Sequence, residues 1–243
     1  MIPVRQNGNQ QVMAARLNWD DIMNYIQKYW DQDYYITDFV YGNGVYCVVM
    51  TKKCGYNGQV IRAGKTFPRE KIEEKWNEGY RITSVLYDGT DWVVVMSDGD
   101  TGIGAQTWFT RGNWENFKSE IQKAWNEDYL LTNVSYGDVT YCGIMSKGMN
   151  WSQSWKLVGG SLTQRDLDNI YSDSGIIVCL MNCAQGFFYV KSSYTPYRHQ
   201  VFYKSSSWDP INNKMHEYWD KGYIITSFCF YKGEWILLMS KPR

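Results

Sequence analysis

Trp76-Asn-Glu-Gly-Tyr80-Arg-Ile-Thr83-Ser-Val-Leu-Tyr87, followed by Trp92-Val-Val-Val-Met96-Ser97, decides the fold, because it recurs. Trp30, Tyr34, Thr37, Tyr41, Tyr46 and Met50 form one copy, and Trp125, Tyr129, Thr132, Tyr136, Tyr141 and Met145 form another. A third holds Trp219, Tyr223, Thr226, Phe230, Trp235 and Met239. The Trp-to-Met distance is 20 residues in every copy. A divergent copy keeps the period, with Tyr171 in the Trp position and Lys191 in the Met position. The starts at 30, 76, 125, 171 and 219 are 46, 49, 46 and 48 residues apart. Repeats of this size cannot bury their apolar faces alone, so 243 residues read as one domain of five stacked units.

Each unit carries a second signature. Gln59, Gln106, Gln153 and Gln200 open short strand-like segments, each eight residues before Phe67, Trp114, Ser161 and Trp208. Gln11 precedes Trp19 by the same eight. A helix is predicted between the Gln segment and the repeat Trp. The position four before that Trp is Ile26, Ile72, Ile121, Leu167 or Met215, and Ile22 and Phe117 lie one turn earlier. Pro68 and Pro210 suit helix starts. Gly79 and Gly222, replaced by Asp33 and Asp128 in two units, suit helix stops. Two strands follow, joined by turns such as Tyr41-Gly-Asn-Gly44 and Asp88-Gly-Thr-Asp91.

The expected fold is α+β: a closed ring of five helix-β-β-β repeats, an α/β-propeller of the pentein type. The alternative is a five-bladed β-propeller with inter-blade helices. The units read as 19–66, 67–113, 114–160, 161–207 and 208–240. The last lacks a Gln strand, and 11–18 is expected to supply it, closing the ring by pairing the chain ends.

Composition excludes several classes. Net charge is zero, from 25 basic and 25 acidic residues, so a phosphate-driven nucleic-acid binder is not expected. The longest apolar runs, such as Val93–Met96, are strand-sized, so no membrane segment is expected. Six Cys without a C-x-x-C point to buried reduced thiols in a cytoplasmic protein rather than a zinc site, and no cofactor is expected.

Nothing in the chain has the spacing of a known catalytic motif, so the sequence reads as a non-enzyme. Cys229 with His199 is the pair a pentein-type Cys enzyme would have to use. The recurrent Gln is the sharpest polar signal. Its structural reading is an amide satisfying backbone groups of the preceding loop. Its functional reading joins Gln59, Gln106, Gln153 and Gln200 to the loop aromatics Tyr56, Trp151, Tyr194 and Tyr197, as a surface for a peptide or a sugar.

Lys75 to Ser97 resembles a repeat domain of unassigned function found C-terminal to bacterial caspase-like peptidases and plant casein-kinase-I-like kinases. The resemblance covers about residues 11–240 and is weak in 161–200. It implies an accessory, non-catalytic module attached to a signalling enzyme such as a caspase-like peptidase or a kinase. The expected function is a monomeric scaffold for a protein or peptide partner; the aromatic loops give a glycan- or small-ligand-binding ring as the alternative, and a pentein-type Cys-dependent enzyme is the third reading.

Overall fold

The structure is a computed structural model and describes residues 10–159, 163 and 175–243. It is mixed α/β. Fifteen strands form five three-stranded antiparallel sheets, with four helices among the described residues. The first sheet comes from β1 (Gln11–Arg16), β2 (Tyr34–Gly42) and β3 (Val45–Lys52), with α1 (Trp19–Trp30) between β1 and β2. The second holds β4 (Tyr56–Gly64), α2 (Arg69–Asn77), β5 (Arg81–Tyr87) and β6 (Trp92–Gly99). The third holds β7 (Gln106–Arg111), α3 (Trp114–Trp125), β8 (Leu130–Gly137) and β9 (Thr140–Ser146). The fourth has β10 (Ser152–Val158), β11 (Ile176–Cys183) and β12 (Gly186–Ser193), and its expected helix, with Leu167 and Tyr171, lies outside the described residues. The fifth holds β13 (Tyr197–Ser205), α4 (Trp208–Asp220), β14 (Ile224–Tyr231) and β15 (Glu234–Pro242).

In every sheet the last strand of the unit lies in the middle, the Gln strand on one side and the post-helix strand on the other. This corrects the expected unit boundaries. Gln11 pairs with Thr51 of its own sheet, and β15 pairs with β13 and β14. The Gln strand therefore opens each unit, the fifth sheet is complete without residues 11–18, and among the described residues no strand passes between the chain ends. A sequence period fixes repeat length but not where a unit starts, because every cyclic frame of the same pattern has the same period.

The middle strands explain their near-continuous apolar runs. Val93, Val94, Val95 and Met96 of β6 are all buried, since a central strand covered on both faces has no solvent side. The helix stripe is buried as its spacing predicts: Ile22 and Ile26, Ile72, Phe117 and Ile121, Ile211 and Met215. Asn18 and Asn113 cap α1 and α3 by accepting from the Asp21 and Asn116 amides at 2.8 and 2.9 Å. Gly79 and Gly222 stop their helices at φ of 95° and 78°, and Asp33 and Asp128 take the same left-handed conformation.

The post-helix strands face inward. β2 contacts β5, β5 contacts β8, β8 contacts β11, β11 contacts β14, and β14 contacts β2. Phe230 of β14 packs on Gly42 of β2 so closely that a Cβ there would lie 2.2 Å from the ring's own Cβ, and Tyr87 covers Gly137 in the same way. Five core clusters sit around these strands. No described helix is long and apolar enough to cross a membrane.

Candidate functional site

The five glutamines occupy equivalent places, and none points to a common pocket. Each fastens its own sheet to the preceding unit. Gln59 Oε1 accepts from the Ile36 amide at 2.7 Å and from Trp30 Nε1 at 3.0 Å. Its Nε2 donates to the Ile36 carbonyl and to Ser97 Oγ at 2.7 and 2.8 Å. Gln106 makes the same four bonds, to the Ile82 amide and carbonyl, Trp76 and Ser146. Gln11 repeats them across the first and fifth units, with Ile225, Trp219 and Thr51. Gln200 bonds both backbone groups of Ile177 and Ser240 Oγ. Among the described residues, Gln153 bonds only the amide and carbonyl of Leu131. The backbone partner is thus a single residue of the preceding unit's post-helix strand (Ile36, Ile82, Leu131, Ile177 or Ile225), not the preceding loop. An amide has two donors and two acceptor sites, so a four-bond glutamine is saturated by the fold.

The loop aromatics scatter. Tyr56 packs beside Cys54 and Tyr35 and is buried. Tyr197 is buried in the cluster shared by units three and four, and Trp151 lies half-buried against that cluster. Tyr194 alone of the four is solvent-facing, 79% exposed. Cys229 and His199 are also apart. Their register partners on β15, Ile236 and Lys241, are five positions apart, about 17 Å at the strand rise. His199 Nδ1 bonds Tyr223 OH at the surface, at 2.9 Å. Burial pushes the Cys229 thiol up, away from the thiolate a nucleophile needs. All six cysteines are buried, and none is paired in a disulfide.

What the inner strands do converge on is one small cavity. In each of them the register shifts at one residue: Thr37, Thr83, Thr132, Val178 and Thr226. The extra residue is a β-bulge, which bends the strand and re-aims the side chain after it. The threonines suit the bulge. Thr37 OH meets Thr51 OH at 2.8 Å, and Thr83, Thr132 and Thr226 meet Ser97, Ser146 and Ser240 at 2.7–2.9 Å.

The residues after the bulge are Asp38, Ser84, Asn133, Cys179 and Ser227, and all five line one small cavity of about 40 Å³. Four of them bridge neighbouring strands. Asp38 Oδ2 accepts from the Phe228 amide at 2.7 Å. Ser84 donates to the Phe39 carbonyl and Asn133 Nδ2 to the Thr83 carbonyl, both at 3.4 Å, and Cys179 Sγ lies 3.5 Å from the Leu131 carbonyl. Burial raises Asp38 to about 7, against the lowering effect of the Phe228 and Phe39 amides.

Three residues further along, the strands present Tyr41, Tyr87, Tyr136, Asn182 and Phe230. They frame a wider opening of about 130 Å³ that shares Val40, Val85, Val134, Leu180 and Phe228 with the cavity. The axis is therefore a funnel, aromatic at the mouth and polar at its base. No residue-type signal marked it, because the five base residues are of four types. Only their equal offset from the repeat Thr could have found it.

A larger concavity of about 600 Å³ lies beside α2, rimmed by both signs of charge: Lys65, Arg69 and Lys71 with Glu70 and Asp138. Its origin is local. α2 has nine residues against 12 in α1, and Arg69 lies across Trp108, 4.8 Å from the ring centre. Curated proteins include none that matches this chain. A family described as a domain of unknown function (DUF7477) matches residues 9–109, which span the first two units and the strand that opens the third.

Proposed function

We propose that the chain is a binding module, a closed α/β-propeller of the pentein type, whose ligand is a protein or peptide segment seated at the axial mouth. The inner strands contact one another in a cycle that returns from β14 to β2, and the glutamine bonds do the same from Gln11 to Trp219 and Ile225. Both support closure through side chains and strand packing. The observation that carries the ligand reading is the funnel to which all five units contribute. A concave, apolar-walled site with a few convergent polar groups is where ligands bind, and symmetry-equivalent positions bearing unlike residues suit one asymmetric partner. The buried thiols, with Cys54 raised to about 11 by burial, favour a non-catalytic module in a reducing, cytoplasmic setting.

A random peptide library panned on the immobilised protein tests this reading. Enriched peptides should bind in fluorescence anisotropy and lose at least tenfold in affinity on Asn182→Trp. That change fills the mouth from an exposed position and leaves the core alone. Peptides that bind the variant unchanged would move the site away from the axis.

A further inference from the structure

We propose that the concavity beside α2 is a second binding site, one that takes a small phosphate monoester. It shares no lining residue with the axial funnel, so it does not rest on the axial reading.

The cavity exists because unit two lacks side chains that other units have. Trp19, Trp114 and Trp208 open α1, α3 and α4, and each packs on the aromatic of its middle strand, Tyr46, Tyr141 or Trp235. Phe67 holds that place in unit two. It lies nine positions before Trp76, whereas Trp19 lies 11 before Trp30, as Trp114 does before Trp125. The shortened α2 has no counterpart of Ile22, Phe117 or Ile211, and Pro68 and Glu70 line the space instead. A smaller ring and a missing half-turn leave about 600 Å³, the size of a small-molecule site rather than of a water.

The floor is aromatic and has an unused donor. Phe67 and Trp92 meet edge to face, with ring centres 5.7 Å apart. Tyr46 and Tyr141 bond the turn of the next unit, through Asp88 and Gln185. Trp92 stands at their place in unit two and is 4% exposed. Its indole N–H is bonded to no other described residue, and the side chain lines the cavity.

The walls are charged. Lys65, Arg69 and Lys71 come from the β4–α2 segment, and none is in an ion pair among the described residues. Arg69 is held by Trp108 and by Thr110 Oγ1, which accepts from its Nη2 at 3.3 Å. Pro68 gives α2 no side-chain cap, so the Glu70 and Lys71 amides add donors on the same side. Two carboxylates share the space: Glu70 in the first turn, and Asp138 from the β8–β9 turn of unit three. Three cations against two carboxylates leave the lining net positive, with the cations on the α2 side. A phosphate monoester carries about −1.5 to −2 charges and three acceptor oxygens, which suits this wall better than the two oxygens of a carboxylate. Its organic body then lies on Phe67 and Trp92, with a hydroxyl directed to Asp138. Two sources carry this chemistry: a free small molecule and a phosphorylated side chain.

The probe is phenyl phosphate, followed by NMR of the Trp92 indole N–H and the Glu70 and Lys71 amides, with benzoate and phenol as controls. Saturable shifts are expected with phenyl phosphate, about tenfold weaker binding with benzoate, and none with phenol. Phe67→Trp places the other units' residue in the gap; it should abolish binding and leave the melting temperature unchanged or higher. Lys65→Gln combined with Arg69→Gln, both at exposed positions, should weaken binding about tenfold. Benzoate or phenol binding as tightly as phenyl phosphate, no saturable response in the wild type, or an unchanged response in the variants would overturn the assignment. The wild-type comparisons and the exposed double variant decide the matter even should Phe67→Trp fail to fold. Glucose 6-phosphate compared with a phosphoserine peptide separates the two sources.

Discussion

The seam between units five and one and the seam between units three and four are built from the same parts, and only the first is complete. At the first, Gln11 makes four bonds, and Thr37 meets Thr51 behind them. At the second, Gln153 makes two, Trp125 Nε1 is buried without a hydrogen-bond partner, and so is Ser192 Oγ. Ser192 lacks two bonds that its equivalents have: Val178 stands where the other units have Thr and has no hydroxyl to offer, and Gln153 makes no bond to Ser192 such as Gln59, Gln106 and Gln200 make to Ser97, Ser146 and Ser240. The lesson is that divergence in a repeat shows first in the polar bonds of a seam, while the strand pairing survives: β11 and β12 keep the bulge at Val178. An unsatisfied buried donor or acceptor costs about 1–3 kcal/mol, so the seam at unit four should be the weaker.

The largest effect that would break this comparison is the removal of the two glutamines. Gln11→Ala should cost about 2–4 kcal/mol and Gln153→Ala about 1–2 kcal/mol in urea unfolding, since the first strands four partners and the second two. Equal losses would mean that the seams are energetically alike. The next concerns the axial bond at the complete seam, from the Phe228 amide to Asp38. Burial raises the folded carboxyl to about 7 although that bond favours the ionised form, so the stability tied to the neutral carboxyl is fully present below the ordinary carboxylate range and is lost as pH rises through 7. Stability should therefore fall between pH 4 and pH 8, by about 2 kcal/mol once partial solvent access is allowed for. Asp38→Asn should flatten that slope. Thermal melts across this range give the answer, and a slope that persists in the variant would assign it elsewhere. The smallest effect sharpens the comparison. Val178→Thr should restore the partner of Ser192 and raise stability by about 0.5–1 kcal/mol, and a lowered melting temperature would show that the hydroxyl is not what the seam lacks.

The sequence made the elements readable because its signals are local. The helix stripe, the left-handed stops at Gly79 and Asp33, and the buried run of β6 each depend on neighbours within a turn or a strand. What was illegible depends on pairing. The unit frame was misplaced because Gln11 to Arg16 looks the same whether it pairs with β3 or with β15. The glutamines were half legible. Their recurrence marked them as structural, but their partners, the repeat Trp and the residue before the bulge of another unit, lie 22–30 residues away in four units and 208–214 in the fifth. The expectation of an aromatic surface rested on polar loops, and it missed that Tyr56 and Tyr197 turn inward. The funnel was invisible because a bulge, which has no residue type of its own, aims Asp38, Asn133 and their equivalents at the axis.

The bond from Gln11 to Trp219 also has a meaning in time. A ribosome makes Gln11 some 200 residues before its partners in the fifth unit exist. At about 5–20 residues per second, the first unit waits on the order of ten seconds or more with that amide and the inner face of β2 unmatched. Contacts of such sequence separation are slow to form and expose strand surface meanwhile. The first unit must therefore persist half-finished during synthesis, and its protection in that interval falls to β3 and α1, the neighbours that emerge with it.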